Sequence, residues 1–240
     1  MYRYMVDGGF PIKGRVRASG NKNAALPIIA ATLLTDEPVT LRNIPDIEDV
    51  HVMFEILRAF GAEVQQGSVH GEWTVHATNI TTTEVPIELA NKIRASILFA
   101  GPLLARVGTV TLPPPGGDVI GRRRLDTHFL ALGGLGAHIH TDGVFVLEAN
   151  KLVGRNLFLD ETSVTATENA IMAAVLADGK TVIENAASEP HVQDVCNMLN
   201  SMGADIQGVG SNILTIRGVK RLTGTVYEIG SDYMEVGSFI

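Results

Sequence analysis

A chain of 240 residues with 45% apolar and 19% charged residues can bury a sizeable core, which excludes a wholly disordered chain and a disulfide-stapled miniprotein. A net charge of −7 and only 5% aromatic residues argue against a dedicated nucleic-acid surface, which needs basic and stacking groups. The single cysteine, Cys196, cannot form an internal disulfide, so a reducing compartment is the default.

In chain order, Met1–Gly20 reads as two short strands around Gly8 and Gly9, without an apolar run of signal-peptide length. Gly20-Asn-Lys-Asn23 then leads into an Ala-rich helix over Ala24–Leu34 and a strand at Pro38-Val-Thr-Leu-Arg42. Apolar residues at helical spacing from Met53 end at Gly61-Ala62, and a further strand covers Trp73–Ala77. The same order returns twice. Ala95–Ala105, Thr109–Leu112, the helix from His128 to Gly136-Ala137 and Val144–Ala149 form the second unit. Asn169–Ala177, Thr181–Asn185, the helix from Val195 to Gly203-Ala204 and Ile213–Arg217 form the third. Gly61, Gly136 and Gly203 stand where a helix C-terminus needs positive φ, and they lie 75 and 67 positions apart. Val39, Val110 and Val182 mark the interleaved strands at spacings of 71 and 72.

Two independent series in one order predict an α/β (α+β) fold with a pseudo-threefold repeat of about 70 residues, spanning Asn21 to Tyr227. The Ala-rich helices are expected inside, with sheets around them. Neither Ala24–Leu34 nor Ala95–Ala105 reaches the roughly 20 apolar residues of a membrane helix, so a cytoplasmic protein with no membrane partner is expected. Ser231–Ile240 looks like the opening turns of a helix and ends on apolar residues, either as a tail packed on the domain or as the start of a second domain. The second reading is preferred. It makes 21–229 the threefold-repeat domain, and gives strands at 1–20 and a helix start at 230–240 to a second domain that is cut short.

Several residues suggest chemistry. Lys22 at a helix N-terminus is electrostatically misplaced unless an anion sits between it and the exposed N–H groups, although a solvated loop lysine between two capping asparagines explains it too. The segment Pro113-Pro-Pro-Gly-Gly-Asp-Val-Ile-Gly-Arg-Arg-Arg-Leu-Asp-Thr-His128 combines stiff prolines with Gly116, Gly117 and Gly121, as a lid does, and puts Asp118 at its tip. Of Arg122, Arg123 and Arg124, only one or two can face a site, where a guanidinium suits phosphate or carboxylate; a basic surface turn is the alternative. Arg94 begins the second Ala-rich helix, where a ligand role and a solvated helix start both fit. Ser163-Val-Thr-Ala-Thr-Glu-Asn169 offers N-caps and a capping box at Thr165-x-x-Glu168; a polar ligand held by the exposed N–H groups and hydroxyls is the alternative to plain capping. Cys196 reads as a small core residue. No zinc-ligand spacing, Gly-x-x-x-x-Gly-Lys-Ser/Thr phosphate loop or nucleophile elbow occurs, and no metal or cofactor is expected.

Gly20–Pro27, Arg94-Ala-Ser96, Pro115–His128 and Glu184-Asn-Ala-Ala-Ser-Glu-Pro190 together resemble the UDP-N-acetylglucosamine 1-carboxyvinyltransferases of the enolpyruvyl transferase family. The shikimate-pathway members of that family typically have Ser-Lys-Ser where this chain has Asn21-Lys22-Asn23, which favours the nucleotide-sugar branch. The resemblance implies a two-domain inside-out α/β barrel, with three repeats per domain and substrates in the cleft between. It implies transfer of enolpyruvyl from phosphoenolpyruvate to the 3′-hydroxyl of UDP-N-acetylglucosamine with release of phosphate, the first committed step of peptidoglycan synthesis. By motif, Lys22 and Arg123 would hold the phosphate of phosphoenolpyruvate, and Asn23 would fix the substrates. Arg94, Arg123, Arg124, Leu125, Asp126, Thr127, Thr162, Ser163 and Val164 would line the UDP-sugar site, and Asp118 would protonate the enol carbon.

Two departures matter. Asp118 replaces the cysteine found at the loop tip in most of the family, so acid work near neutral pH requires its pKa to rise from the ordinary value of about 3.9. Without a thiol there, resistance to the epoxide antibiotic fosfomycin is expected. Arg124 stands where proline often underlies the uracil. In addition, the family's second domain supplies an aspartate base and further arginines that this chain lacks. The alternatives are a non-catalytic UDP-sugar-binding half that needs a partner chain, and a shikimate-pathway-type transferase.

Overall fold

The computed structural model describes residues 3–11, 13–117 and 124–240. The first unit runs α1 (Lys22–Ala31), β1 (Val39–Arg42), α2 (Glu48–Ala59), β2 (Glu63–Gln66) and β3 (Trp73–His76), followed by the short α3 (Ile87–Ala90). In the second, a 3₁₀ segment Arg94–Phe99 continues into α4 (Ala100–Val107), then β4 (Thr109–Leu112), α5 (Asp126–Gly134), β5 (His138–Asp142) and β6 (Val144–Glu148), with β7 (Asn156–Phe158) after it. The third is α6 (Val164–Ala174), β8 (Lys180–Glu184), α7 (Pro190–Ser201), β9 (Asp205–Gln207) and β10 (Ile213–Arg217), with β11 (Val226–Glu228) and α8 (Tyr233–Phe239) beyond. Helix, strand, helix, strand, strand therefore recurs three times, as the sequence predicts. Gly61, Gly136 and Gly203 end the second helix of each unit with φ of 97°, 105° and 99°.

Each unit folds its three strands antiparallel with the last in the middle: β1-β3-β2, β4-β6-β5 and β8-β10-β9. A connection then pairs parallel with the first strand of the next unit. Glu84 bridges Thr111, β7 pairs with β8, and β11 returns to pair with β1 at Thr40–Val226. The third unit is thus tied back to the first, and the repeat is cyclic.

The first helices of the three units pack against one another in the interior. Every residue from Ala24 to Ala31 and from Ala166 to Ala174 is buried. At Gly101 a Cβ would lie 2.6 Å from the Asn169 carbonyl oxygen. The fully buried Asn169 joins these helices: its Oδ1 accepts from the Gly101 N–H (2.8 Å) and its Nδ2 donates to the Ile97 carbonyl (2.9 Å).

The edges differ from expectation. No strand forms among the described residues of 3–19, most of which are exposed; a strand needs a neighbouring ladder, and only Gly20 finds one, as a bridge to Ser231. The helix expected after Ser231 is α8, capped by Asp232, whose Oδ1 accepts from the N–H of Met234 (2.8 Å). The capping box does not form either. Ser163 caps α6, so Thr165 and Glu168 lie within the helix. No helix among the described residues is long and apolar enough to cross a membrane.

Candidate active site

The inner helices place their N-termini around one cavity of about 670 Å³. Lys22 and Asn23 begin α1, Arg94 and Ala95 begin the 3₁₀ segment leading to α4, and Val164 and Thr165 begin α6. Helix N-termini present unpaired N–H groups and the positive end of the backbone dipole, so their meeting favours an anion. Lys22, Lys92 and Arg94 add full positive charges to the wall.

Asn21 makes the α1 terminus, its Oδ1 accepting from the Ala24 N–H at 3.0 Å, which leaves Lys22 in the first helical position. Lys22 Nζ lies 2.6 Å from Asp49 Oδ2, on the first turn of α2. Both side chains are partly exposed, so the pair is worth little and yields readily to a ligand. Pro27, in the same wall, has no N–H and so removes the helical partner of the Asn23 carbonyl.

Arg94 donates through Nη2 to the Arg124 carbonyl (3.1 Å), linking the cavity to the start of α5. Arg124 turns its own guanidinium to Asp126, whose carboxylate holds the arginine above its ordinary pKa. Thr127 donates to Asp160 (2.8 Å) and Thr162 to Asn185 (2.9 Å). Of the residues named from the sequence, Lys22, Asn23, Arg94 and Val164 line this cavity, whereas Arg124, Leu125, Asp126, Thr127, Thr162 and Ser163 do not. Asp118 and Arg123 lie outside the described residues.

Beneath the wall is a polar relay. Asn169 Nδ2 is 2.9 Å from His128 Nδ1, and His128 Nε2 is 3.1 Å from Thr165 Oγ1. The Gly101 N–H requires the amide oxygen and the Ile97 carbonyl requires the amide nitrogen, so Asn169 has one orientation and donates to His128. His128 is therefore neutral and donates through Nε2 to Thr165. Burial, reinforced by the charge of Arg94, pushes its pKa down to about 3. The unfolded chain takes up this proton near pH 6.5 and the folded chain does not, so His128 costs no stability above that value and progressively more as pH falls towards 3. Acidification from pH 7 to 4 is expected to remove about 3 kcal/mol through this group. Urea unfolding at both pH values checks it, and His128→Asn is expected to flatten the dependence.

Asp49, Lys92, Thr165, Glu168 and His191 also line the cavity and were not assigned to it from the sequence. Thr165 and Glu168 stood out there chiefly as caps, with a polar-ligand site as the alternative for their segment. His191 is buried against Tyr233 of α8, the rings stacked with centroids 6.3 Å apart, and burial lowers its pKa against the pull of Glu189, Asp194 and Asp232.

The sequence pattern of the EPSP synthase (3-phosphoshikimate 1-carboxyvinyltransferase) family matches residues 6–240. The UDP-N-acetylglucosamine 1-carboxyvinyltransferase of Treponema pallidum is 65% identical over 237 residues, covering 99% of this chain and 56% of the relative. That of Bradyrhizobium diazoefficiens is 53% identical over 244 residues, covering 99% of the chain and 55% of the relative. The chain thus spans little more than half the length of these relatives. Among solved structures, the enolpyruvyl transferase NikO from Streptomyces tendae superposes with a TM-score of 0.83 at 26% identity, over 97% of this chain and 55% of that one. EPSP synthase from Acinetobacter baumannii shares the fold, with a TM-score of 0.74 at 21% identity over 94% and 52% of the two chains. The resemblance carried by the Gly20–Pro27 and Pro115–His128 segments is thereby borne out. With its three helix–strand–helix–strand–strand units matching that pattern almost end to end, the chain belongs to the EPSP synthase (3-phosphoshikimate 1-carboxyvinyltransferase) family of enolpyruvyl transferases.

Proposed function

We propose that this chain supplies one side of the active site of a UDP-N-acetylglucosamine 1-carboxyvinyltransferase, which moves enolpyruvyl from phosphoenolpyruvate to the sugar 3′-hydroxyl at the entry to peptidoglycan synthesis. One observation carries the reading: three helix N-termini and the cations Lys22, Lys92 and Arg94 meet at one cavity, in a chain 65% identical to such an enzyme. Both proposed substrates are phosphorylated anions.

In this reading the 3′-hydroxyl gives up its proton to a base on the opposite side of the cleft as its oxygen adds to C2 of phosphoenolpyruvate, while C3 gains a proton. Loss of that C3 proton and of phosphate from the tetrahedral adduct then leaves the enol ether. Lys22 and Arg123 hold the transferred phosphate, Asn23 aligns the substrates, and Arg94 with Arg124, Leu125, Asp126, Thr127, Thr162, Ser163 and Val164 surrounds the nucleotide sugar. Asp118 delivers the C3 proton, which requires exclusion of water around a neutral carboxyl. The rest of such an enzyme, beyond the 56% covered here, closes the opposite side of the cleft. That coverage also favours a second reading, in which this chain binds the nucleotide sugar and turns over only with a partner chain.

Phosphate release from phosphoenolpyruvate and UDP-N-acetylglucosamine, with and without the downstream half of a relative, separates the two. Turnover by either preparation supports transfer, whereas binding without turnover in both leaves only the binding half. Fosfomycin is expected to leave the chain unmodified, since position 118 carries a carboxylate and the lone thiol, Cys196, is buried with its pKa pushed up to about 12. Intact mass after incubation checks this; a single adduct would contradict it.

A further inference from the structure

We infer that Thr165 and Glu168, three residues apart on α6, form a polar wall that binds the sugar of the nucleotide sugar; this rests on the function proposed above. Both residues line the cavity. Glu168 is 1% exposed, and its Oε1 meets no hydrogen-bond partner among the described residues. A buried carboxyl oxygen left alone is costly to the fold, and a ligand that completes it recovers the loss.

The relay below settles the hydrogen-bonding role of Thr165. Its oxygen accepts from His128 Nε2, and no acceptor among the described residues takes its own proton. Thr165 therefore offers the cavity a donor. Burial, with the nearby Glu189 acting in the same direction, raises the pKa of the Glu168 carboxyl well above its ordinary value. A neutral acid both donates and accepts, as a sugar hydroxyl or acetamido group requires. Lys22, Lys92 and Arg94 stand elsewhere in the same wall, where their charges suit the phosphates. The ligand is thus divided by chemistry, with anionic oxygens towards the cations and the helix N-termini, and sugar groups towards the side chains of Thr165 and Glu168.

Calorimetric titration of the chain with UDP-N-acetylglucosamine and with UDP tests the division. Glu168→Met is expected to weaken UDP-N-acetylglucosamine binding by about tenfold and to leave UDP within about twofold. Its unliganded melting temperature is expected to rise by about 2–4 °C, because an orphaned carboxyl has been replaced by an apolar group of similar length. Glu168→Gln, which keeps a donor and an acceptor, is expected to hold both affinities within about threefold. Equal affinity of wild type and Glu168→Met for the sugar nucleotide, or equal weakening of both ligands, overturns the inference. Should Glu168→Met not fold, Thr165→Val at the half-buried end of the wall takes its place, and the same selective loss is required. A wild-type chain that binds neither nucleotide overturns the nucleotide-sugar reading itself, and this inference with it.

Discussion

Lys22→Met is expected to weaken phosphoenolpyruvate binding by about 100-fold while leaving the melting temperature within about 2 °C of wild type. A charge-assisted hydrogen bond to phosphate accounts for the first figure. The second follows from the helix. Lys22 occupies the first position of α1, where its charge faces the positive end of the backbone dipole, so the folded chain gains nothing from the ammonium there. Its ion pair with Asp49 is too exposed to compensate, and Asp49 keeps a favourable place on the first turn of α2. Calorimetric titration beside a thermal melt reads both quantities. A solvated loop lysine would alter neither, and a structural one would lower both.

Asn169→Ala is expected to destabilise the fold by about 4 kcal/mol and to lower the melting temperature by about 10 °C. The truncation leaves the Gly101 N–H, the Ile97 carbonyl and His128 Nδ1 without the amide that joins them, in an interior with no room for relaxation. It also frees His128 to turn, which removes the donor that fixes Thr165. Weaker binding at the cavity should therefore accompany the loss of stability. Urea unfolding with a lower midpoint and an unchanged slope is the expected result. An unchanged midpoint would mean that alanine packing alone holds the inner helices.

The threefold repeat, the order of elements within each unit, the glycines that end the second helices and the placing of the Ala-rich helices inside are all legible in the residues alone. These are local properties: periodicity and positive φ leave marks within a few residues, and alanine runs mark close approach. Lys22 was legible for a similar reason, as a charge in conflict with its own helix. Long-range packing decided the rest. Asp49 and Lys22 are 27 positions apart, yet their helices bring them into contact. Thr165 and Glu168 fit a capping motif by spacing, but Ser163 takes the cap, and only the convergence of three helix ends turns their face towards the cavity. The exchange of β7 and β11 to neighbouring units left no local trace either, because parallel pairing joins residues as distant as Thr40 and Val226. The described residues of 3–19 form no strand for the complementary reason, since a strand's hydrogen bonds belong to its neighbour as much as to itself.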